Sequence, residues 1–254
     1  MTSTTSTTPT TPTRSPVISP TVVRLGVHGI FGRRRGILLF VLPMLLIGLA
    51  VLVRALVGQD DDATELTLYG LGLVVLVPLI ALLATSGLLA PEIDDGSVSY
   101  LLAKPISRHT IVASKLVVAV ACVLVFGAFP MLVAGLVMRT GEPLVAVGFA
   151  IGSLLGGATY CAVFALLSVM TRHAVVIGLI YVLVWEGLLG GLLDGIRWLS
   201  VTRWSTEVVD NVADLSLVDD LPLAYAVVAM LVVAGVATWR TGWRLRAFNL
   251  TGDE

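Results

Sequence analysis

The stretch LVAVGFAIGSLLGGATYCAVFALLSVMTRHAVVIGLIYVLVWEGLLGGLL, residues 144–193, decides the fold of this chain. Apolar residues dominate both of its halves, and its only fully charged residues are Arg172 and Glu186. A helix of about 20 apolar residues crosses the hydrocarbon core of a bilayer. Because only residues 171–173 separate the two halves, the sequence predicts two antiparallel transmembrane helices joined by a tight turn.

Apolar runs of similar length recur along the whole chain. Of its 254 residues, 57% are hydrophobic and 13% are charged. Soluble domains contain about 25% charged residues. We therefore predict an all-α integral membrane protein with six transmembrane helices and no catalytic machinery of its own. The expected spans, in chain order, are residues 36–58, 67–90, 110–138, 144–170, 173–193 and 221–242.

The residues before the first span form two segments of different composition. Residues 1–20 are rich in Thr, Ser and Pro, cannot bury apolar surface, and are predicted to form a disordered tail. Residues 21–35 combine apolar residues with Arg24 and an Arg triplet, which predicts an amphipathic helix lying in the membrane interface. The first span lacks a small-residue cleavage site, so we expect it to be retained. Residues 36–250 are the expected six-helix transmembrane domain.

Basic residues are distributed unequally between the two predicted sides of the membrane. Lys and Arg near span ends are retained on the cytoplasmic side. The asymmetry predicts a multi-pass protein with both termini in the cytoplasm, which requires an even number of spans. The predicted external side also holds the acidic residues Asp60, Asp61, Asp62 and Glu65. The cytoplasmic set is Arg14, Arg24, Arg33, Arg34, Arg35, Lys104, Arg108, Lys115, Arg172, Arg240, Arg244 and Arg246, and the external set is Arg54, Arg139, Arg197 and Arg203.

Cysteine and histidine are too dispersed for a metal or catalytic site. Cys122 and Cys161 lie in separate apolar spans without the paired spacing of a zinc or thiol motif, so we expect them to be packing residues. His28, His109 and His173 lie at separate borders of the spans and have no carboxylate cluster nearby. The sequence therefore predicts no catalytic, cofactor-binding or metal-binding residue. A net charge of −1 points to no nucleic-acid partner.

The loop between the second and third predicted spans, residues 91–109, is unlike a simple connection. Within EIDDGSVSYLLAKPISRH, residues 92–109, Val98, Leu101 and Leu102 fall at helical spacing and Pro105 ends the turn. A short helix parallel to the membrane plane is predicted here. Alternatively, the charged residues of the loop only anchor it at the lipid headgroups.

This loop resembles the corresponding loop of ABC-2 type transporter permeases, the membrane-spanning subunits of exporters driven by a cytoplasmic ATPase. In that family an acidic residue, a Gly turn, a Leu pair, Pro-apolar-Ser-Arg and a Lys opening the third span occur in this order. The resemblance extends to the topology, with an interfacial N-terminal helix, six spans, and a long external segment before the last span. The matching residues here are Glu92, Asp95, Gly96, Ser97, Leu101, Leu102, Pro105, Ile106, Ser107, Arg108 and Lys115.

The resemblance implies partners for this chain. In the family the helix of this loop docks on the nucleotide-binding subunit, so cytoplasmic ABC ATPase subunits are expected partners, together with a second permease copy in a homodimer. ATP and Mg²⁺ are expected on the ATPase subunits, because this chain lacks a Gly-rich loop ending in Gly-Lys-Ser or Gly-Lys-Thr. The residues expected to form the ATPase-coupling contact are Glu92, Asp95, Tyr100, Leu101, Leu102, Pro105 and Arg108.

Three glycines repeat every fourth residue in the fourth predicted span. Gly148, Gly152 and Gly156 form a groove in which another helix can approach closely. Two interpretations stay open, packing within one protomer and a seam between two copies.

Glu186 is an ionisable residue placed toward the external end of the fifth predicted span. Such groups are costly in a membrane and often functional, so Glu186 is a candidate to face a substrate route or to take a proton. The structural interpretation is that it pairs with Arg197 or caps backbone near the interface.

The predicted external segment, residues 194–220, contains an approximate helical stripe of apolar residues formed by Ile196, Leu199, Trp204, Val208 and Val212. Trp198 and Trp204 are typical of a membrane interface, so the segment predicts short helices lying on the outer leaflet. In ABC-2 type permeases the equivalent region often forms a re-entrant hairpin that gates the exit, and the resemblance implies such a gate. A simple lid over the bundle gives the same pattern.

Two classes of function remain. The resemblance favours the permease subunit of an ATP-driven ABC exporter in a bacterial plasma membrane. The alternative is a self-contained secondary transporter or channel that uses Glu186 for ion coupling, which predicts internal repeats and broken helices. The sequence shows no convincing repeat. A membrane enzyme needs clustered His, Asp or Glu at a membrane face, and the sequence shows none.

Overall fold

A computed structural model of the protein describes residues 35–94, 108–171, 173–189, 195, 198–217 and 221–247. Within these ranges all regular structure is helical. In lipid, a helix satisfies its own backbone hydrogen bonds, whereas an open sheet edge does not. The all-helical architecture predicted from the apolar runs is confirmed for this part of the chain.

The described helices follow the apolar runs closely, and three of them widen into π-helical stretches. The π stretch of α3 ends directly before Phe129 and Pro130, and proline has no N–H to donate to the preceding turn. The bounds are α1 Arg35–Leu56; α2 Asp61–Glu65, Leu66–Leu76 (π) and Val77–Asp94; α3 Arg108–Val123, Leu124–Ala128 (π) and Phe129–Met138; α4 Pro143–Met170; α5 Ala174–Ile180 and Tyr181–Leu189 (π); α6 Val201–Ala213; and α7 Leu223–Ala247.

Local sequence explains where two of these helices begin. Asp60 is the N-cap of α2, and its Oδ1 accepts a hydrogen bond from the Ala63 N–H at 2.8 Å. Pro143 lies in the first turn of α4, where a missing N–H costs nothing. Gly141 adopts a φ of +115° in the turn before it, a conformation that residues with a Cβ rarely adopt. This short turn makes α3 and α4 neighbours.

Five helices in the described ranges are long and apolar enough to cross a membrane. They are Gly36–Leu56, Asp61–Gly87, Val112–Met138, Pro143–Met170 and Leu223–Arg244. Each coincides with one of the six predicted spans. The remaining predicted span, residues 173–193, is described only to Leu189, and its apolar helix Ala174–Leu188 is shorter than the roughly 20 residues of a full crossing.

α4 lies at the centre of the bundle. It contacts α2, α3, α5, α6 and α7, whereas α1 packs on α2 and α3. Phe149, Tyr160 and Phe164 of α4 are fully buried among these neighbours. On the periphery, the Phe40 ring of α1 meets the Phe126 ring of α3 edge to face at 4.9 Å. The central helix therefore provides the surface on which the functional elements are positioned.

The predicted external end of the bundle is held by polar contacts between two turns. Arg54 donates a hydrogen bond from Nη2 to Thr140 Oγ1 at 3.2 Å, and Gln59 donates to the Thr140 carbonyl at 2.9 Å. Arg139 Nη2 lies 2.7 Å from Asp61 Oδ1. These contacts join the α1–α2 turn to the α3–α4 turn, so all four helix ends lie on one side of the bundle.

Candidate functional site

The buried polar cluster of the bundle lies where α5 meets the start of α6. Glu186 of α5 is only 6% exposed, and both of its carboxylate oxygens accept hydrogen bonds. Oε1 accepts from the Tyr181 hydroxyl at 3.2 Å and from the Val201 N–H at 3.1 Å. Oε2 accepts from the Ser200 hydroxyl at 2.5 Å and from the Thr202 N–H at 3.3 Å. The carboxylate therefore caps the N-terminus of α6 from a different helix.

Ser200 completes the cap. It is the N-cap residue of α6, and its Oγ accepts a hydrogen bond from the Arg203 N–H at 3.2 Å. The first N–H groups of any helix have no partner inside the helix. Here Glu186 satisfies two of them and Ser200 satisfies the third. A negative carboxylate also interacts favourably with the positive end of the helix dipole.

Tyr160 connects the cluster to the central helix. Its hydroxyl forms a hydrogen bond with Thr202 Oγ1 at 2.8 Å, and the side chain is 1% exposed. The Tyr160 ring stacks on Phe164 with centroids 5.8 Å apart, and Phe164 meets Tyr181 edge to face at 6.3 Å. Aromatic packing of this kind orients the two tyrosine hydroxyls toward the α6 terminus. α4, α5 and α6 thus meet at one polar point inside an apolar bundle.

The glycine groove of α4 is occupied by α6 of the same chain. A Cβ on Gly152 would lie 2.7 Å from the Ser205 carbonyl oxygen and 2.7 Å from Val209 Cγ2. A Cβ on Gly148 would lie 3.1 Å from the Val209 carbonyl oxygen, and one on Gly156 would collide with the Ser205 hydroxyl. The missing side chains therefore let the α6 backbone approach α4. Of the two interpretations of the groove, the described contacts are those of packing within one protomer.

These contacts also define the direction and position of α6. Along α4 the contact sites run from Tyr160 through Gly156 and Gly152 to Gly148, while along α6 they run from the first residues toward Ala213. The two helices are therefore antiparallel. Gly156 lies at the middle of α4, so the first residues of α6 pack beside the middle of that helix. The 13 residues of α6 rise about 20 Å along it.

Of two predictions about position, one differs from the structure. Glu186 was expected toward the external end of its span, and it lies three residues before the end of the described α5, at Leu189. The residue pattern of 194–220 predicted helices on the leaflet surface, whereas the resemblance implied a re-entrant hairpin. Most of α6 is buried, which differs from the first of these expectations. The reason is that Ser and Thr side chains and a glycine groove allow a moderately polar helix to pack inside the bundle.

The predicted apolar stripe is only partly the buried face of α6. Trp204 and Val208 are 3% and 4% exposed, whereas Leu199 precedes the helix and is exposed. Thr202, Ser205 and Thr206 are buried on the same helix, and each donates or accepts a hydrogen bond through its hydroxyl. A stripe drawn from apolar residues alone misses these side chains.

Trp198 and Trp204 are linked through one backbone carbonyl. The Trp198 carbonyl oxygen accepts hydrogen bonds from Trp204 Nε1–H at 3.1 Å and from the Tyr225 hydroxyl at 2.9 Å. The Trp198 ring meets the Tyr225 ring edge to face at 5.2 Å. These contacts attach the turn before α6 to the start of α7, so α6 is held at its N-terminal end by both α5 and α7.

The residues of the expected ATPase-coupling contact are largely outside the described part of the chain. The structure does not describe five of them, namely Asp95, Tyr100, Leu101, Leu102 and Pro105. Glu92 lies in the last turn of α2 and Arg108 begins α3, with only their backbones described. Lys115, one of the matching residues, is 4% exposed in α3.

Several residues of the cluster were not singled out in the sequence. Its hydrogen bonds involve Tyr160, Tyr181, Ser200 and Thr202. In the sequence each of these is an ordinary residue of a span or a loop. Ser200 carries the one usable signal, because a serine followed by a helical run is a typical N-cap. The tyrosines carry no such signal, since their partners lie on other helices.

The hydrogen bonds of the cluster hold a helix in position. The carboxylate of Glu186 accepts from four donors, and none of these described partners is a histidine or a cysteine. In the part of the chain that the structure describes, no three His, Cys, Asp or Glu side chains lie close enough to hold a metal ion. The arrangement fixes α6 between α4 and α5.

Comparison with known families gives one match. A sequence model of the family described as ABC-2 family transporter protein matches residues 33–242. The match includes α1 to α6, most of α7 and the loop at residues 91–109. No curated protein matches the chain.

Proposed function

The chain belongs to the ABC-2 family of transporter proteins, and from this membership we propose that it is the permease subunit of an ATP-driven exporter. Membership and the five candidate spans make it a multi-pass membrane protein and a transport subunit. The observation that carries the proposal is the family match over residues 33–242. Two copies form the pathway, and two separate ATPase subunits supply the energy.

The proposed topology has six crossings, with both termini in the cytoplasm of a bacterial cell. The sixth crossing is the predicted span at residues 173–193, of which α5 is the described part. The short turn between α4 and α5 and the excess of Lys and Arg on one side support this layout. Residues 21–35 lie in the membrane interface ahead of the first span.

Coupling to the ATPase takes place in the cytoplasmic loop at residues 91–109. This loop joins α2 to α3, and both helices pack against the central helix α4. A rigid-body push on the loop is therefore transmitted to the centre of the bundle. ATP and Mg²⁺ bind on the partner subunits, and the permease converts their closure into movement of its helices.

The gate of the pathway is α6. It packs along the central helix, and contacts with both α5 and α7 hold its N-terminal end. The glycine groove of α4 gives it a smooth surface, since Gly148, Gly152 and Gly156 place no side chain between the helices. A movement of α5 relative to α4 strains the Glu186 cap and so reaches α6 directly.

Co-purification with the ATPase encoded beside this chain tests the proposal. The wild type is compared in mild detergent with a double variant carrying Leu101→Asp and Arg108→Glu. We expect the wild type to retain an ATPase that hydrolyses ATP, and the variant to lose it by at least about tenfold in retained partner, because a charge is placed in a docking contact.

The matched control is Asp62→Lys, a charge reversal at the predicted external end, which should leave the complex intact. Loss of the partner in the control as well would show a general folding defect. A stable wild-type chain that recruits no ATPase would overturn the proposal.

The alternative function, a self-contained secondary transporter or channel, needs Glu186 to exchange a proton or an ion. Its two oxygens instead accept four hydrogen bonds, two of them from backbone N–H groups that need an acceptor. Releasing the carboxylate would leave those groups unsatisfied inside the membrane, at about 1–3 kcal/mol each. The geometry therefore favours a positioning role for Glu186.

A further inference from the structure

A pocket lies at the predicted external end of the bundle, outside the cluster around Glu186. Its volume is about 170 Å³, room for roughly five or six water molecules at about 30 Å³ each. The start of α2, the end of α3, the start of α4 and the segment after α6 all contribute to its wall. Since α2, α3 and α4 are candidate membrane spans, the pocket lies at the level of the lipid headgroups.

Arg139 is the cationic residue of this pocket. Its side chain is 17% exposed, and its two Nη atoms each lie 2.7 Å from a carboxylate, that of Asp61 and that of Glu142. Of the other N–H groups of the guanidinium, Nε–H is buried and has no acceptor among the residues that the structure describes. A buried donor without an acceptor is costly, and a phosphate oxygen is a strong acceptor for a guanidinium.

The acidic residues of the pocket exceed the single cation. Asp61 and Glu65 line the wall, and Glu142 pairs with Arg139 from outside it. Glu65 is exposed and forms no ion pair within the described ranges. The local charge is therefore negative, which disfavours a simple anion, so a ligand that places a phosphate on Arg139 must also carry a cationic group such as an ammonium.

The opposite wall of the pocket is apolar. Phe149 of α4 is 1% exposed, and Leu215 and Leu217 approach from the segment after α6. A surface of this kind accepts the carbon atoms of a headgroup and the start of its glycerol. A fully charged, hydrated ion gains nothing from such a wall.

We propose that this pocket binds the phosphoethanolamine headgroup of a membrane phospholipid, with the phosphate on Arg139 and the ammonium on Glu65. The headgroup then lies between the ends of α2, α3 and α4 and the segment that follows α6. Its chemistry distinguishes it from two other common headgroups. Phosphocholine has no N–H to donate to a carboxylate, and phosphoglycerol has no ammonium at all.

Thermal unfolding of the full chain in detergent micelles tests the assignment. The micelles contain phosphatidylethanolamine, phosphatidylcholine or phosphatidylglycerol with identical acyl chains. We expect phosphatidylethanolamine to raise Tm by about 3 °C more than either of the other lipids, as a ligand present well above its Kd does. Because the readout is a difference between lipids in one variant, a general loss of stability does not imitate it.

Glu65→Gln should abolish the preference for phosphatidylethanolamine, because it removes the charge that holds the ammonium. Ser216→Trp, which fills the pocket from the segment after α6, should do the same. Asp62→Asn is the matched control, an exposed acid on the same helical segment that does not line the pocket, and it should keep the full preference.

An equal Tm in all three lipids, or a preference that persists in Glu65→Gln, would overturn the proposal. A shift of the same size with free phosphoethanolamine at the same concentration would overturn the lipid as the source and point to a soluble ligand. Neither result bears on coupling to an ATPase, so this proposal and the proposed function fail independently.

Discussion

Two polar sites of this protein differ in what surrounds them. One is the Glu186 cap of α6, and the other is the ion pair of Arg139 with Asp61, called the Arg139 pair below. Glu186 is 6% exposed and caps the N-terminus of a helix that packs inside the bundle. Arg139 faces two carboxylates at the end of the bundle, and its partner Asp61 is 81% exposed. Water can replace a lost partner at the second site but not at the first. Burial, rather than charge, should therefore decide how much each site contributes to stability.

The largest expected effect belongs to Glu186→Ala. It removes the acceptor of two backbone N–H groups and two hydroxyls, so we expect the free energy of unfolding to fall by about 3–5 kcal/mol. Thermal unfolding in detergent measures this as a drop of about 6 °C or more in Tm. Glu186→Gln should lose roughly half as much, because an amide keeps one acceptor oxygen. A Glu186→Ala variant as stable as the wild type would contradict the expectation that the buried site contributes more to stability than the exposed one.

An intermediate effect is expected from Gly152→Ala in the groove under α6. The new Cβ would lie 2.7 Å from the Ser205 carbonyl oxygen, so the helices must separate, at a cost of about 1–3 kcal/mol. Gly48→Ala in α1 is the control, because nothing lies within 4 Å of a Cβ there. That change should be neutral or slightly stabilising, since Ala has the higher helix propensity. Comparing the Tm of the two variants isolates close helix packing from propensity, and equal Tm values would contradict the role of the groove.

The smallest effect is expected from Asp61→Asn at the Arg139 pair. Exposed ion pairs contribute at most about 1 kcal/mol, and salt weakens them further. We expect a Tm within about 2 °C of the wild type at low salt and no difference at 1 M salt. A drop in Tm as large as that of Glu186→Ala, and independent of salt, would show that the ion pair of Arg139 and Asp61 is shielded from water.

The positions of the long helices were predictable from run length alone. The five candidate spans match predicted spans to within a few residues, except that α2 begins earlier, at Asp61. Asp60 caps that start, so an acidic loop extends the helix beyond its apolar part. The fifth predicted span was less predictable, because Glu186 and the glycines around it interrupt the apolar run.

The site was only partly predictable. Glu186 and the glycine groove were recognisable, because an ionisable group or a small-residue repeat in a span is rare and costly. The residues that contact them could not be recognised from the sequence. The donors to Glu186 include residues 14–16 positions away, on a helix that the sequence placed on the membrane surface. The predicted partner Arg197 lies outside the described residues.

The sequence by itself determined the class of this protein. In lipid every backbone polar group must be satisfied within its own segment, so the length and polarity of each run are enough to predict helices and their number nearly correctly. Only the tertiary structure decided where α6 lies and which groups meet the Glu186 carboxylate. That choice depends on the shape of the groove on α4 and on hydrogen-bond geometry between three helices, and neither is encoded in any local pattern of residues.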